Sequence, residues 1–348
     1  MALWKIGISG FFKNKLAIKT AKHFVKLALN EKVEVVVSSE FPIDKTLKSV
    51  ELQDFDVDLL FVFGGDGSVL HVFRELGVKQ LPVMGVNCGE LGYFMDLDSK
   101  NFAARLPLIF QGNFVVEKRN RLEGTVDGEK LPFALNEYVI TATKSATLMR
   151  YSLNIDNNFL WKDSADGVIV ATPTGSTAYS LSSGGPIASF DTNVLLINPI
   201  NSMAHTNRLA VNENSVMKIF NINASSTCEL VVDGQERFKV KDEVLIRKSN
   251  FPALLARLQD SRFSFFRKKT YLAESSLEDK MKNASPSAKF VFKVLELENS
   301  LTQKEIINIT KLPVRTVRRA LDDLLKKEII TKRPFISDPR QDIYILNK

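Results

Sequence analysis

The segment 64–68, which reads Gly-Gly-Asp-Gly-Ser, constrains the fold of this chain more than any other feature. A mostly apolar run at 57–63 precedes it, and an amphipathic pattern of helical period follows it at 69–76. A buried parallel strand that ends in glycines and leads into a helix directs free backbone N–H groups and the positive end of the helix dipole at the loop. The segment therefore predicts an anion-binding turn at the edge of a parallel sheet.

This turn indicates phosphate chemistry. Gly64, Gly65 and Gly67 allow a phosphate to approach the backbone closely, and Asp66 supplies a carboxylate that can take a proton from an attacking hydroxyl. The alternative for so short a motif is an ordinary strand-to-helix turn in which Asp66 serves only as an N-cap. The segment alone does not decide between these two interpretations.

Residues 1–113 alternate apolar and amphipathic segments. The predicted strands and helices lie at 5–9, 33–37, 59–63 and 83–86, and near 15–29 and 69–76, respectively. We therefore expect an α/β domain in which helices cover both faces of a parallel sheet. A ligand of such a sheet lies at the carboxyl ends of the strands, where the loops that begin at 64 and 85 emerge.

Short alternating segments replace this pattern at 114–248. Turn signals such as Val-Asp-Gly-Glu at 126–129 and Ile-Asp-Asn-Asn at 155–158 separate the predicted strands, and no helices are expected. We predict an antiparallel β domain there and a ligand cleft between the two domains. Residues 249–272 contain one further strand-like run.

The C-terminal part differs in composition and charge. Residues 273–287 are predicted to be a linker, and 288–348 a separate domain. Residues 275–348 carry 15 Lys and Arg against 10 Asp and Glu, so they hold +5 of the formal net charge of +7. Helical segments near 289, 302 and 314, the second with a capping box of Thr302 and Glu305, precede two strand-like segments that flank 337–340.

This order of helices and strands resembles a winged helix-turn-helix domain. In such a domain the third helix enters the DNA major groove with its N-terminal residues, and the wing contacts flanking phosphates. The resemblance implies DNA contacts by Arg315, Thr316, Arg318, Arg319, Arg333 and Arg340. The alternative is a winged domain that serves dimerisation or contacts the preceding domains of its own chain.

The overall composition is that of a globular protein, with 45% hydrophobic and 25% charged residues. No apolar stretch approaches the ~18 residues that a membrane-spanning helix requires, so we expect no membrane partner and a cytoplasmic location. Cys88 and Cys228 lie far apart in sequence and lack metal-ligand spacing. We therefore predict neither a disulfide framework nor a metal site built from protein ligands.

A second polar block, at 166–187, narrows the function. It places serines, threonines, glycines and one tyrosine after a β-branched strand, which suits a polar ligand with a ring that can stack. With the segments 85–94, 136–137, 198–200 and 233–235, and with 64–68, it resembles the NAD kinase family over about residues 1–270. The Gly-Gly-Asp-Gly segment alone also occurs in diacylglycerol and sphingosine kinases and in phosphofructokinases.

The resemblance implies the two-domain fold of NAD kinases, with residues 249–272 returning to the first domain. It implies transfer of the γ-phosphoryl group of ATP, or of a phosphoryl group of polyphosphate, to the 2′-hydroxyl of the adenosine ribose of NAD. Mg²⁺ is expected with the nucleotide, and a dimer or tetramer as the assembly. Asp66 would be the catalytic base. The other implied nucleotide-binding residues are Gly64, Gly65, Gly67, His71, Arg74, Asn87, Asn136, Glu137, Asp166, Thr177, Ala178, Tyr179, Ser182 and Gln235.

A rival hypothesis is a transcription regulator that senses NAD or NADP without catalysis. The presence of Asp66 favours the enzyme, since a sensor does not require a base. Two positions depart from the family pattern: Ser202-Met203 stands where Pro-His is usual, and Ser164 where several bacterial members have arginine. Both departures leave donor choice and NAD affinity open.

Overall fold

The computed structural model describes residues 5–11, 13–89, 92–204, 208–258, 284–298, 300–327, 329–335 and 338–346. The chain divides into two compact units, residues 1–262 and 263–348. Within the described ranges, every helix is too short or too polar to cross a membrane.

The first unit contains both the α/β and the antiparallel β architecture. Its elements in chain order are β1 (Lys5–Gly10), α1 (Lys15–Asn30), β2 (Glu34–Ser38), β3 (Lys48–Val50), β4 (Leu59–Gly64), α2 (Asp66–Glu75), β5 (Pro82–Asn87), β6 (Met95–Asp98), α3 (Phe102–Phe110), β7 (Val115–Arg119), β8 (Leu122–Val126), β9 (Glu129–Lys130), β10 (Glu137–Ala142), β11 (Met149–Ile155), β12 (Asn158–Ala165), β13 (Gly167–Ala171), α4 (Tyr179–Ser182), β14 (Val194–Ile200), β15 (Leu209–Asn212), β16 (Met217–Ala224), β17 (Cys228–Val232), β18 (Glu236–Val240), β19 (Val244–Lys248) and β20 (Ala253–Arg257). Short 3₁₀ turns lie at Leu52–Asp54 and Gly175–Thr177.

Helices cover both faces of a mainly parallel sheet. The strand order is β3-β2-β1-β4-β5-β20-β7, and β6 also pairs with β5. Side chains alternate along β4, because successive residues of a strand point to opposite faces. Phe61 and Phe63 pack with α1 and α3, whereas Leu60 and Val62 pack with α2. The predicted α/β domain is thus confirmed.

Two antiparallel sheets form the second domain of this unit. Their strand orders are β15-β14-β13-β10-β17-β18 and β12-β11-β16-β19-β8-β9. Tyr138 and Val170 of the first sheet share a buried core with Tyr151 and Ile219 of the second. This confirms the predicted antiparallel β domain. The expectation of no helices there is wrong, because the 3₁₀ turn Gly175–Thr177 and helix α4 follow β13.

The first sheet includes a strand that the sequence assigned to the β domain. The sequence places the change of pattern at 114, but β7 belongs to the parallel sheet, because β20 returns beside β5 and pairs with β7 in antiparallel register. Helix α3 was not predicted, since Pro107 and a nearly continuous apolar composition obscure its period. The remainder of the returning segment, 259–272, lies outside the described residues.

The second unit contains three helices and three strands among its described residues. They are α5 (Pro286–Glu298), β21 (Ser300–Thr302), α6 (Gln303–Thr310), α7 (Val314–Lys326), β22 (Ile330–Phe335) and β23 (Asp338–Leu346), with the strand order β21-β23-β22. The capping box of Thr302 and Glu305 begins α6 as predicted. The predicted linker lies outside the described residues at 273–283, and its last two residues already belong to α5, because proline is well tolerated in a first helical turn.

Arg121 joins the helical layer of the first domain to the start of β8. Its side chain is 1% exposed and donates to the carbonyl oxygens of Phe73 (3.0 Å), Gly77 (2.8 Å) and Phe251 (2.6 Å). The guanidinium also lies 4.6 Å from the ring centroid of Phe133. Burial lowers the pKa of Arg121 to about 10. This one side chain therefore satisfies three carbonyl groups that have little access to water.

We expect Arg121→Met to lower the free energy of unfolding by about 2 to 3 kcal/mol, because buried carbonyls lose their donor. Urea unfolding followed by tryptophan fluorescence measures this, since both tryptophans of the chain, at 4 and 161, precede residue 262. The control is Arg247→Met. That side chain is 59% exposed and pairs with Glu123, so its loss should change the stability by less than about 0.5 kcal/mol. Equal effects of the two substitutions would contradict the assigned role.

Candidate functional site

Three strand ends meet at one edge of the parallel sheet and form the base of the site. β1 ends at Gly10, β4 at Gly64 and β5 at Asn87. The N–H of Cys88 donates to the carbonyl oxygen of Gly64 at 2.9 Å, and the side chain of Asn87 accepts from the N–H of Gly89 at 3.1 Å. Residues 64–68, here called the glycine segment, and the predicted residue Asn87 are therefore neighbours at this edge of the sheet.

Asp66 is the first residue of α2, where the helix dipole favours a negative charge. Its carboxylate accepts one N–H at each oxygen, from Tyr93 at 2.7 Å and from Phe94 at 2.9 Å. Gly65 occupies the N-cap position of the helix. The interpretation of Asp66 as only an N-cap is therefore wrong, because its side chain binds a segment that is distant in sequence.

A cavity of about 620 Å³ lies over the glycine segment. Several residues that the sequence analysis missed line it together with predicted ones. The lining residues are Gly10, Phe11, Lys13, Glu40, Gly65, Gly67, Ser68, His71, Val72 and Gln235. Phe11 and Lys13 follow β1, so the rule that ligands lie at the carboxyl ends of parallel strands was a signal for both.

His71 and Arg74 are predicted to contact the nucleotide, and the structure places them in a network of protein partners. Arg74 donates through Nη1 to Gln235 (2.6 Å) and through Nη2 to Nδ1 of His71 (2.9 Å), and its Nε pairs with Glu236 (2.9 Å). Since arginine only donates, Nδ1 of His71 accepts, and Nε2 donates to Glu40 at 2.7 Å. A nucleotide contact by either residue stays a prediction.

Gln235 connects the β domain to the glycine segment. Its Nε2 donates to the carbonyl oxygen of Gly67 at 2.8 Å, while its Oε1 accepts from Arg74. The turn from β17 to β18 presents it there, with Asp233 at φ 47° and Gly234 at φ 70°. Both values lie in the left-handed region, which Asp and Gly adopt more readily than most residues, so the sequence signal of this turn has a direct physical basis.

Asn136 and Glu137 lie beside this turn at the start of β10. The carboxylate of Asp233 accepts the backbone N–H groups of Leu135 (2.8 Å), Asn136 (2.8 Å) and Glu137 (3.1 Å). Burial raises the pKa of Asp233 to about 6. Burial and the neighbouring charge of Asp233 raise the pKa of Glu137 to about 8. Because three N–H donors favour the ionised form of Asp233, Glu137 is the carboxyl group that keeps its proton at neutral pH.

The polar block after β13 packs on the backbone of the same segment. Thr172 donates through its hydroxyl to Leu135 at 2.6 Å and through its N–H to Asn136 at 2.9 Å. A Cβ atom on Gly175 would lie 2.1 Å from the carbonyl oxygen of Asn136, so only glycine fits there. The glycines and hydroxyls of this block thus bring two distant segments into contact.

Four predicted residues of the pocket wall follow on the 3₁₀ turn and on α4. They are Thr177, Ala178, Tyr179 and Ser182. The backbone N–H of Tyr179 bonds the carboxyl group of Glu137, and the Tyr179 side chain is 47% exposed. An exposed ring beside buried polar groups is suited to stacking on a planar ligand.

The structure does not place Asp166 beside the polar residues that follow β13. Asp166 precedes this strand and Thr172 follows it, so the length of the extended strand separates the two residues by roughly 20 Å. Its carboxylate accepts from the side-chain amide of Asn201 at 2.8 Å.

The two departures from the family pattern lie close to each other. Ser164 and Met203 line one cavity of about 450 Å³, and the N–H of Met203 donates to the carbonyl oxygen of Ser164 at 2.8 Å.

The predicted DNA contacts belong to the second unit. Arg315, Arg318 and Arg319 are exposed on α7, and Thr316 is half-buried. Arg333 is exposed on β22, and Arg340 lies within β23. The opposite face of α7 packs into the core of the unit through Val317, Ala320, Leu321 and Leu324.

We expect Glu137→Gln to reduce the pH dependence of stability. Glu137 has a raised pKa in the folded protein, so between pH 5 and pH 8 it retains a proton that the unfolded chain releases. The free energy of unfolding of the wild type therefore decreases as the pH rises through this interval. Over the same interval the free energy of unfolding of the variant should fall less than that of the wild type. The difference between the two losses should exceed about 1 kcal/mol, because one pKa unit corresponds to about 1.4 kcal/mol.

Urea unfolding of both proteins at pH 5, 6.5 and 8 measures this difference. Glu129→Gln is the matched control, since Glu129 is exposed and its substitution should leave the pH dependence unchanged. Parallel stability curves of the wild type and Glu137→Gln would contradict the protonated state assigned to Glu137.

Two protein-family models match the first unit, and they divide it into the same two domains as the structure does. The model of the ATP-NAD kinase N-terminal domain matches residues 7–114, and that of the ATP-NAD kinase C-terminal domain matches residues 135–258. The NAD kinase of Methanothermobacter thermautotrophicus is 32% identical over 273 residues, which cover 76% of this chain and 95% of that protein. The NAD kinase of Carboxydothermus hydrogenoformans is 36% identical over 228 residues, or 62% of this chain and 81% of that protein.

Two solved structures share the fold. Yeast NADH kinase complexed with NADH superposes with a TM-score of 0.68 at 26% identity and covers 76% of this chain and 86% of its own. An NAD kinase from Archaeoglobus fulgidus in complex with ATP has a TM-score of 0.63 at 24% identity, over 76% of this chain and 98% of its own, and so supports the fold alone. With both family domains matched in order and a relative covered almost throughout its length, this chain belongs to the NAD kinase family.

Proposed function

We propose that this protein is an NAD kinase that transfers the γ-phosphoryl group of ATP, or a phosphoryl group of polyphosphate, to the 2′-hydroxyl of the adenosine ribose of NAD. One observation carries the proposal. Asp66 lies within the glycine segment, between two glycines that line the cavity, and two backbone N–H groups hold its carboxylate in one orientation. A fixed carboxylate next to a phosphate-binding turn is what a base for hydroxyl attack requires.

Phosphoryl transfer depends on positioning and charge stabilisation more than on covalent chemistry of the protein. In the proposed reaction, Asp66 accepts the proton of the 2′-hydroxyl as that oxygen attacks the donor phosphorus. The bond from this phosphorus to the rest of the donor breaks, so that ADP, or the shortened polyphosphate, leaves. The backbone of Gly65 and Gly67 lines the cavity and allows the phosphates to approach closely. Lys13 lines the same cavity and brings a positive charge to the donor phosphates.

The acceptor would lie against the β domain. Asn136 and Glu137 would contact the adenosine part of NAD, because both occupy the segment that Asp233 and Thr172 fix by hydrogen bonds. The exposed ring of Tyr179 would stack on a base. Asp166 would recognise the nicotinamide end.

Mg²⁺ would enter with the nucleotide. In the described part of the chain, His, Cys, Asp and Glu side chains form no group of three or more that could hold a metal ion. This fits a magnesium ion held mainly by donor phosphates, since Mg²⁺ often binds through substrate phosphates and only one or two carboxylates. When bound, it would neutralise phosphate charge. Asp66 is the one carboxylate within the glycine segment and is the candidate protein ligand.

We also propose that the second unit is a winged helix-turn-helix domain that binds DNA. Three helices followed by the β22–β23 hairpin, with β21 paired to β23, support the assignment. The exposed arginines at 315, 318 and 319 lie near the start of the third of these helices, where such domains contact DNA.

We expect Asp66→Asn to lower the rate of NADP formation by about 10²- to 10⁴-fold, because it removes the base but keeps the shape of the side chain. The assay incubates full-length protein with NAD, Mg²⁺ and either ATP or polyphosphate, and measures NADP. Full activity of the variant would exclude Asp66 as the base. Absence of NADP from the wild type with either donor would contradict the kinase proposal and favour a non-catalytic sensor.

For the second unit, we expect full-length protein to retard short duplex DNA in a gel, with an affinity that decreases as salt increases. The double variant Arg318→Ala/Arg319→Ala should lose this retardation. Arg247→Ala is the matched control, because Arg247 is an exposed arginine of the first unit. Equal retardation by the wild type and the double variant would contradict the assigned contacts and favour a role of this domain in assembly.

A further inference from the structure

The orientation of Asp66 depends on the segment that passes beside it. Tyr93 and Phe94 each donate a backbone N–H to one oxygen of the carboxylate. A Cβ atom on Gly92 would lie 2.7 Å from Oδ1 of Asp66, so this segment runs in close contact with the carboxylate. A small displacement of the segment would therefore release Asp66 or turn it away.

One peptide group of this segment is bonded on both sides. Its N–H, which belongs to Phe94, donates to Asp66, while its carbonyl oxygen, which belongs to Tyr93, accepts from Nη2 of Arg257 at 3.2 Å. Because a peptide group is planar and trans, its C=O and N–H point in opposite directions. A donor that fixes the carbonyl therefore also sets the direction of the N–H toward Asp66.

Arg257 holds the same segment at a second point. Its Nη1 lies 2.6 Å from Oδ1 of Asp96, in β6, and Oδ2 of Asp96 accepts the N–H of Leu258 at 2.8 Å. The two Nη groups of one guanidinium thus bind the carbonyl oxygen of Tyr93 and the carboxylate of Asp96. A planar fork of this kind fixes both positions relative to each other, which a single ammonium group does not.

The surroundings of Arg257 hold its guanidinium in a fixed position. The residue ends β20 and is 2% exposed. Its Nε lies 3.6 Å from a carboxylate oxygen of Glu117, which also pairs with Arg119. Two arginines and two carboxylates therefore balance in charge, and Arg257 is held by the paired strands β20 and β7 as well as by its ion pairs.

We propose that Arg257 is a positioning residue of the kinase reaction, which acts through the peptide group between Tyr93 and Phe94 to orient Asp66 toward the ribose hydroxyl. The proposal rests on the proposed role of Asp66 as the base. Arg257 itself contacts no reacting atom. The return of β20 to the parallel sheet thus has a functional consequence, because it brings the guanidinium to the segment that orients the base.

The test begins with Arg257→Lys, which keeps a positive charge opposite Asp96 but removes the fork. We expect kcat to fall at least about fivefold while the KM values for NAD and ATP stay within about twofold, because orientation of the base is lost and no substrate contact is removed. Arg121→Lys is the matched control, since it removes the fork of another buried arginine and should leave kcat within about twofold. An equal fall in kcat in both variants would overturn the proposal.

A double-mutant cycle separates this role from general damage to the fold. In the Asp66→Asn background, Arg257→Lys should change the residual rate less than about twofold, because the group on which Arg257 acts is already absent. A merely structural role predicts that the two losses multiply. Multiplied losses would therefore overturn the proposal.

Hydrogen exchange measured by mass spectrometry tests the geometry without any activity. Arg257→Lys should speed amide exchange in the segment 92–96, and Arg121→Lys should not. Unchanged exchange there would overturn the positioning role even in a protein that makes NADP. Faster exchange in a protein whose wild type makes no NADP would support the grip on the segment and overturn only the proposed function.

Discussion

The carboxylate of Asp233 is the constraint on which the architecture of the site depends. It accepts three consecutive backbone N–H groups at the start of β10, and its own turn presents Gln235 to Gly67 and Arg74. A buried carboxylate is stable only when such donors replace water. The same group therefore fixes the segment that carries Asn136 and docks the β domain on the glycine segment.

The sequence contained enough local information to predict the two architectures of the first unit and the turn at 64–68. Alternation along β4 and the glycines after it follow from the period of a buried strand. The composition of the block after β13 indicated a polar ligand, but the individual roles predicted for Asn136 and for the residues of that block came only from the family resemblance, because their partners lie far away in sequence. Strand β7 and Arg257 were missed for a related reason: both depend on the return of β20, which no local pattern encodes.

The network around Arg74 shows why residue type alone did not define the site. An arginine two turns after a glycine-rich segment suggests a phosphate ligand, yet its two Nη groups bond Gln235 and His71, and its Nε forms an ion pair with Glu236. Gln235 and Glu236 belong to the β domain, so spacing along the chain did not reveal them, whereas His71 lies three residues earlier on the same helix. Lys13, on the loop after β1, brings a positive charge to the cavity that is not used in this network.

The proton that Glu137 retains changes what this residue offers a bound nucleotide. An ionised carboxylate only accepts hydrogen bonds and repels nearby phosphates, whereas the neutral acid both donates and accepts without adding negative charge. Its Oε2 has no hydrogen-bond partner among the described residues. In the proposed complex, the neutral acid would therefore both donate to and accept from the ribose hydroxyls and ring nitrogens of NAD, without repelling its two phosphates.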